Sequence, residues 1–121
     1  MEQALEEIRA LLDSYGLAPY VELFDEVLRH YAAGEDEQFR EALLSNSVWG
    51  GAGSVCDMHL PSLQQEGRDG WQDQKSLDLA MVRVAEALDA RGLADERVRN
   101  WANAFRQWRD DGEYEHPPGS A

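Results

Sequence analysis

The sequence predicts an all-α protein: a small antiparallel bundle of about five helices, with a glycine-rich loop after the third. Three observations carry this. Apolar residues recur at spacings of three and four through most of the chain, and glycines or a proline mark where that periodicity breaks. No alternating run of useful length appears, apart from a weak one at Cys56, Met58 and Leu60. A chain of 121 residues has the size of one domain, expected here over residues 1–110 with a mobile tail over 111–121. That length can bury a core without disulfides or metals.

Leu5, Ile8, Leu11, Leu12 and Tyr15 define the first helix, and Gly16 is a plausible stop. The periodicity restarts in "LAPYVELFDEVLRHYAAG", where Pro19 suits a first helical turn. Tyr20, Phe24, Val27, Leu28 and Tyr31 form its stripe, and Gly34 ends it. The link around Gly16 is short, so these two helices should form an antiparallel hairpin. "EDEQFREALLS" reads as a short third helix, with Glu35, Asp36 and Glu37 placed where the helix dipole favours negative charge. The loop "WGGAGSVCDMHL" follows, and then an irregular stretch punctuated by Pro61, Gly67 and Gly70. The fourth helix spans about residues 73–91. Leu77, Ala80, Met81, Val84, Ala87 and Leu88 make one face, while Leu79 and Val82 lie on the other, the pattern of a central helix. Gly92 closes it. Asp95 can cap a fifth helix carrying Val98, Trp101, Ala102, Phe105 and Trp108.

Composition excludes several classes. The net charge is −13, from 24 acids against 11 bases, and residues 1–45 alone hold 11 acids and 3 bases. Such a surface repels nucleic acid and anionic membrane and attracts basic proteins. No apolar run approaches the roughly 20 residues of a membrane span. The N-terminus, acidic and amphipathic, lacks the pattern of a signal peptide. A single cysteine permits no internal disulfide and fits a reducing, cytoplasmic setting.

Glycine-rich backbone can cradle an anion, but "GGAGSV" lacks the lysine of a P-loop and no strand precedes it. The S-x-x-D spacing of Ser54 and Asp57 instead reads as an acidic capping box opening a short helix, with Trp49 as a core anchor. Cys56 and His59 could share a helix face as nucleophile and base, yet Asp57 would point elsewhere. Glu22, Glu26 and His30 fall at i, i+4 and i+8, too spread to bind one metal ion. Arg97, Arg99, Arg106 and Arg109 interleave with aromatics on the last helix, where core packing with arginine at the rim is the simpler reading than single-stranded nucleic acid binding. No cofactor is implied.

The loop residues Gly50, Gly51, Gly53, Ser54 and Asp57 resemble the G-G-x-G-S-x-x-D loop of a group of small uncharacterised bacterial helical proteins. The resemblance covers about residues 36–90 and departs from the pattern at Ala52 and Cys56. It implies a helical fold and names no reaction.

Two functional readings follow. The first is an interaction protein, of the kind an immunity protein is, that neutralises or regulates a basic partner through Glu22, Asp25, Glu26, Glu35, Asp36 and Glu37. The second is a small-molecule or anion pocket at the glycine loop, lined by Trp49, Ser54, Cys56, Asp57 and His59, with backbone N–H groups of Gly51 and Gly53.

Overall fold

A computed structural model describes residues 1–115. The chain is all-α, with no strand among those residues; residues 56–60 form turns and the start of a 3-10 helix. Five helices have eight residues or more: α1 (Glu2–Ser14), α2 (Ala18–Ala33), α3 (Asp36–Leu43), α5 (Gly70–Ala90) and α6 (Glu96–Asp110). Two short elements were not expected. These are the single turn α4 (Asn46–Trp49) and the 3-10 helix Leu60–Leu63, both shorter than a hydrophobic period can reveal. None of the helices described is long and apolar enough to cross a membrane.

The described residues divide into two compact units, Met1–Met58 and those from His59 onward. In the first, α1 packs on α2 and α2 on α3. Leu5, Ile8 and Leu12 of α1, Phe24 and Val27 of α2, and Phe39 and Leu43 of α3 are buried, as their spacing demands. Tyr31 packs its ring on Phe39, with centroids 5.3 Å apart. The turn between α2 and α3 depends on Gly34, which adopts φ 70° and returns its N–H to Tyr31.

In the second unit α5 packs against α6 and against the 3-10 helix. Asp69 caps α5 through the N–H of Gln72, and Asp95 caps α6 through the N–H of Val98. Helix α5 therefore starts three residues before its first expected turn. Gly70 sits so close to the 3-10 helix that a Cβ there would lie 2.7 Å from the Cα of Pro61. The helix is buried on more than one side: Leu77, Met81, Val84 and Leu88 on one, Gln74, Asp78, Val82 and Ala85 on another. On α6, Phe105 is buried between partly exposed Trp101 and Trp108, whose rings lie 5.5 and 5.6 Å from it.

The expected mobile tail needs correction at its start. Residues 111–115 form turns, Tyr114 is buried, and Lys75 pairs with Glu115. An aromatic side chain supplies enough apolar area to hold this turn in place. The rest of that tail, residues 116–121, lies outside the described residues.

Candidate functional site

The glycine loop is built as a turn stapled to α4. The N–H groups of Val55 and Cys56 donate to the carbonyls of Ser47 and Val48, so the chain doubles back along the helical turn before it. Those of Ser54, Asp57 and Met58 donate to Gly51, Ser54 and Val55. Every backbone N–H from residue 54 to 58 is thus used inside the protein. An anion cradle needs several such groups left free and converging. Only Gly51, Ala52 and Gly53 could offer theirs, and all three are exposed.

Ser54 is the buried centre of this turn, 2% exposed. Its Oγ donates to the Gly50 carbonyl at 2.9 Å and accepts the Asp57 N–H at 3.2 Å. The expected side-chain contact with the Asp57 N–H is therefore present, but it closes a turn and opens no helix. The reciprocal half of a capping box is absent, because the Ser54 N–H already donates to Gly51. Asp57 itself is exposed.

The glycines have different tasks. A Cβ on Gly50 would collide with the backbone carbonyl of Asn46. Gly53 holds φ 85°, a conformation that L side chains rarely adopt. Gly51 faces open space and needs neither licence. Tyr20 of α2 donates its hydroxyl to the Gly53 carbonyl, which ties the loop to the hairpin. Trp49 is buried, with its indole N–H donating to the Leu43 carbonyl at 2.9 Å.

The seven residues expected to line a pocket differ in burial. Trp49, Ser54 and Cys56 are buried in the first unit, while Gly51, Gly53 and Asp57 stand in solvent. His59, in the second unit, is exposed and packs its ring edge-on against Trp71, 5.3 Å away.

The acidic residues organise differently. Two shallow depressions adjoin along α2, sharing Leu23, Glu26 and Ser47. One also carries Tyr20, Glu22 and Gly53; the other carries His30, Gln38, Glu41 and Ser45. Two carboxylates line each, Glu22 and Glu26 in the first and Glu26 and Glu41 in the second, beside the half-buried Leu23. His30 stands between Glu26, at 3.5 Å, and Glu35, at 3.0 Å. The Ser45 hydroxyl oxygen is buried and has no hydrogen-bond partner. Asp25 points the other way and pairs with Arg9 of α1 at 2.8 Å, an interaction that raises the pKa of that guanidinium. Asp36 and Glu37 are exposed in the first turn of α3. Sequence spacing missed Glu41, which joins this face because α3 lies against α2.

A second group was not expected at all. In α5, Asp78 is 2% exposed and Gln74 is 6% exposed. The Leu60 N–H donates to Gln74 Oε1 at 2.8 Å, Gln74 Nε2 donates to Asp78 Oδ1 at 2.8 Å, and the Tyr114 hydroxyl donates to Asp78 Oδ2 at 2.6 Å. Burial pushes the Asp78 carboxyl up to about 7, against the opposing pull of its two hydrogen bonds. Burial and the neighbouring Asp78 charge also raise the Tyr114 phenol. The i, i+4 recurrence of polar residues at 74 and 78, on a stripe that continues to Val82, was the available sequence signal.

No group of three or more His, Cys, Asp and Glu side chains able to hold a metal ion occurs among the described residues. The arginines of α6 are engaged within the second unit: Arg97 with Asp95, Arg99 with Asp89 and the Ala94 carbonyl, Arg106 with Glu86 of α5, and Arg109 with Asp110. No family model, curated protein or solved structure matches the chain.

Proposed function

We propose that this chain is an acidic protein-interaction module that binds a basic protein partner through the first unit, in the manner of an immunity protein. One observation carries the reading: the adjoining depressions along α2, where Glu22, Glu26 and Glu41 surround Leu23. An acid-rimmed apolar floor suits a lysine or arginine, whose aliphatic stem lies on the floor while its charge meets the rim. The charge distribution supports the same surface. Residues 1–58 hold 12 of the acids and 3 of the bases, so −9 of the total −13 resides in this unit. A field of that sign accelerates encounter with a cationic protein.

The test is affinity capture at low salt, followed by rate measurements on the basic protein recovered. Neutralising the rim with Glu22→Gln, Glu26→Gln and Glu41→Gln should slow association by at least about tenfold, and added salt should slow the wild type in the same way. Recovery of no basic protein, or equal association by the triple variant, would refute the reading.

The glycine loop favours a structural role over a pocket. Its N–H groups are largely consumed, and the depression that reaches Gly53 is lined by Glu22 and Glu26, which would repel an anion.

A further inference from the structure

The α5–α6 hairpin carries a groove that neither the acidic face nor the glycine loop explains. It encloses about 220 Å³ and is floored by Ala85, Ala94, Val98 and Ala102, all buried. Two packed helices ordinarily fill their seam with larger side chains. Here Ala85 and Ala102 of the helices, with Ala94 of the link between them, leave it open.

Charge around this groove is sorted by helix. Glu86 and Asp89 stand on the α5 side; Arg99 and Arg106 stand on the α6 side. Because the helices run antiparallel, Glu86 is level with Arg106, at 3.3 Å, and Asp89 with Arg99, at 3.8 Å. The four side chains are between 36% and 68% exposed. Ion pairs this long and this wet hold weakly, although Arg99 also donates to the Ala94 carbonyl at 2.7 Å and Arg106 to Asn103 Oδ1 at 3.3 Å.

We propose that this groove is the contact face of a two-fold dimer of the chain, with the symmetry axis running along the groove. Rotation about that axis lays α5 of each copy over α6 of its partner. Each acid then meets an arginine at its own level, Glu86 against Arg106 and Asp89 against Arg99. A two-fold contact requires a surface that is its own complement, and this one is. It is also locally neutral, in a chain whose net charge of −13 makes most other self-contacts repulsive. The face is small, so the dimer is weak, with dissociation in the micromolar to submillimolar range.

Sedimentation equilibrium of the full chain, across a dilution series reaching millimolar protein at physiological salt, provides the test. The wild-type mass should rise from 13.7 kDa toward twice that value. The variant Glu86→Arg with Asp89→Arg, and the variant Arg99→Glu with Arg106→Glu, should each associate at least about tenfold more weakly. An equimolar mixture of the two restores every opposite-charge contact and should form a heterodimer. Should a double change unfold the hairpin, the single reversals Glu86→Arg and Arg106→Glu make the same comparison. A wild type that stays at 13.7 kDa throughout would overturn the proposal. So would a dimer that persists unchanged in both charge-reversed variants, or a mixture no heavier than its components.

Discussion

Asp78 is a carboxylate sealed in the second unit with two neutral hydrogen-bond donors, Gln74 and Tyr114. Its carboxyl titrates near 7 when folded, against an ordinary aspartate value of 3.8. The folded state therefore binds this proton more tightly than the unfolded chain does. The resulting stability is full below about pH 4 and is lost as pH rises through about 7. Between about pH 5 and about pH 8 the loss is on the order of 2–3 kcal/mol. Asp78→Asn keeps the shape and removes the titration, so denaturant unfolding at those two pH values should show a wild type that weakens by that amount more than the variant. An identical pH slope in both would assign the titration to another group. Tyr114→Phe removes the donor to Asp78 Oδ2 and should cost about 1–3 kcal/mol, more at the higher pH, where the hydrogen bond is charge-assisted.

At the scale of the element, the glycine loop separates three glycines that look alike in sequence. Gly50→Ala drives a methyl group into the Asn46 carbonyl and should destabilise by about 1–3 kcal/mol. Gly53→Ala must adopt φ 85° and should cost about 1–2 kcal/mol. Gly51→Ala meets open space and should fall within about 0.5 kcal/mol of wild type. Ser54→Ala deletes a buried hydroxyl that both donates and accepts, at a cost of about 1–3 kcal/mol. Thermal unfolding of these four variants ranks them directly.

For the whole molecule, the uneven charge is the governing feature. With −9 in residues 1–58, the folded chain repels itself over distances that salt can screen. Raising ionic strength from low to physiological values should therefore raise Tm, by about 2–5 °C for a stabilisation near 1 kcal/mol. A fall in Tm would mean that ion pairs such as Arg9–Asp25 and Arg68–Asp73 outweigh the repulsion.

Much of the fold was legible because local physics set it. The apolar spacing of α1, α2 and α6, the left-handed Gly34 and the Asp95 cap depend on residues a turn or less apart. The existence of the five longer helices and the charge bias were thus determined by the sequence alone. The loop was partly legible: the Ser54–Asp57 spacing foretold their contact, whereas hydrogen bonds back to Ser47 and Val48 turned the expected helix into a turn. Long-range packing decided the rest. It brought Glu41 of α3 beside Glu26 of α2 and sent Asp25 toward Arg9. It placed Tyr114 over Asp78, 36 residues away, and so converted part of an expected tail into the cover of a buried carboxylate. Spacing along one helix says which residues share a face; only the elements packed against that face decide whether water, an ion pair or a tyrosine meets it.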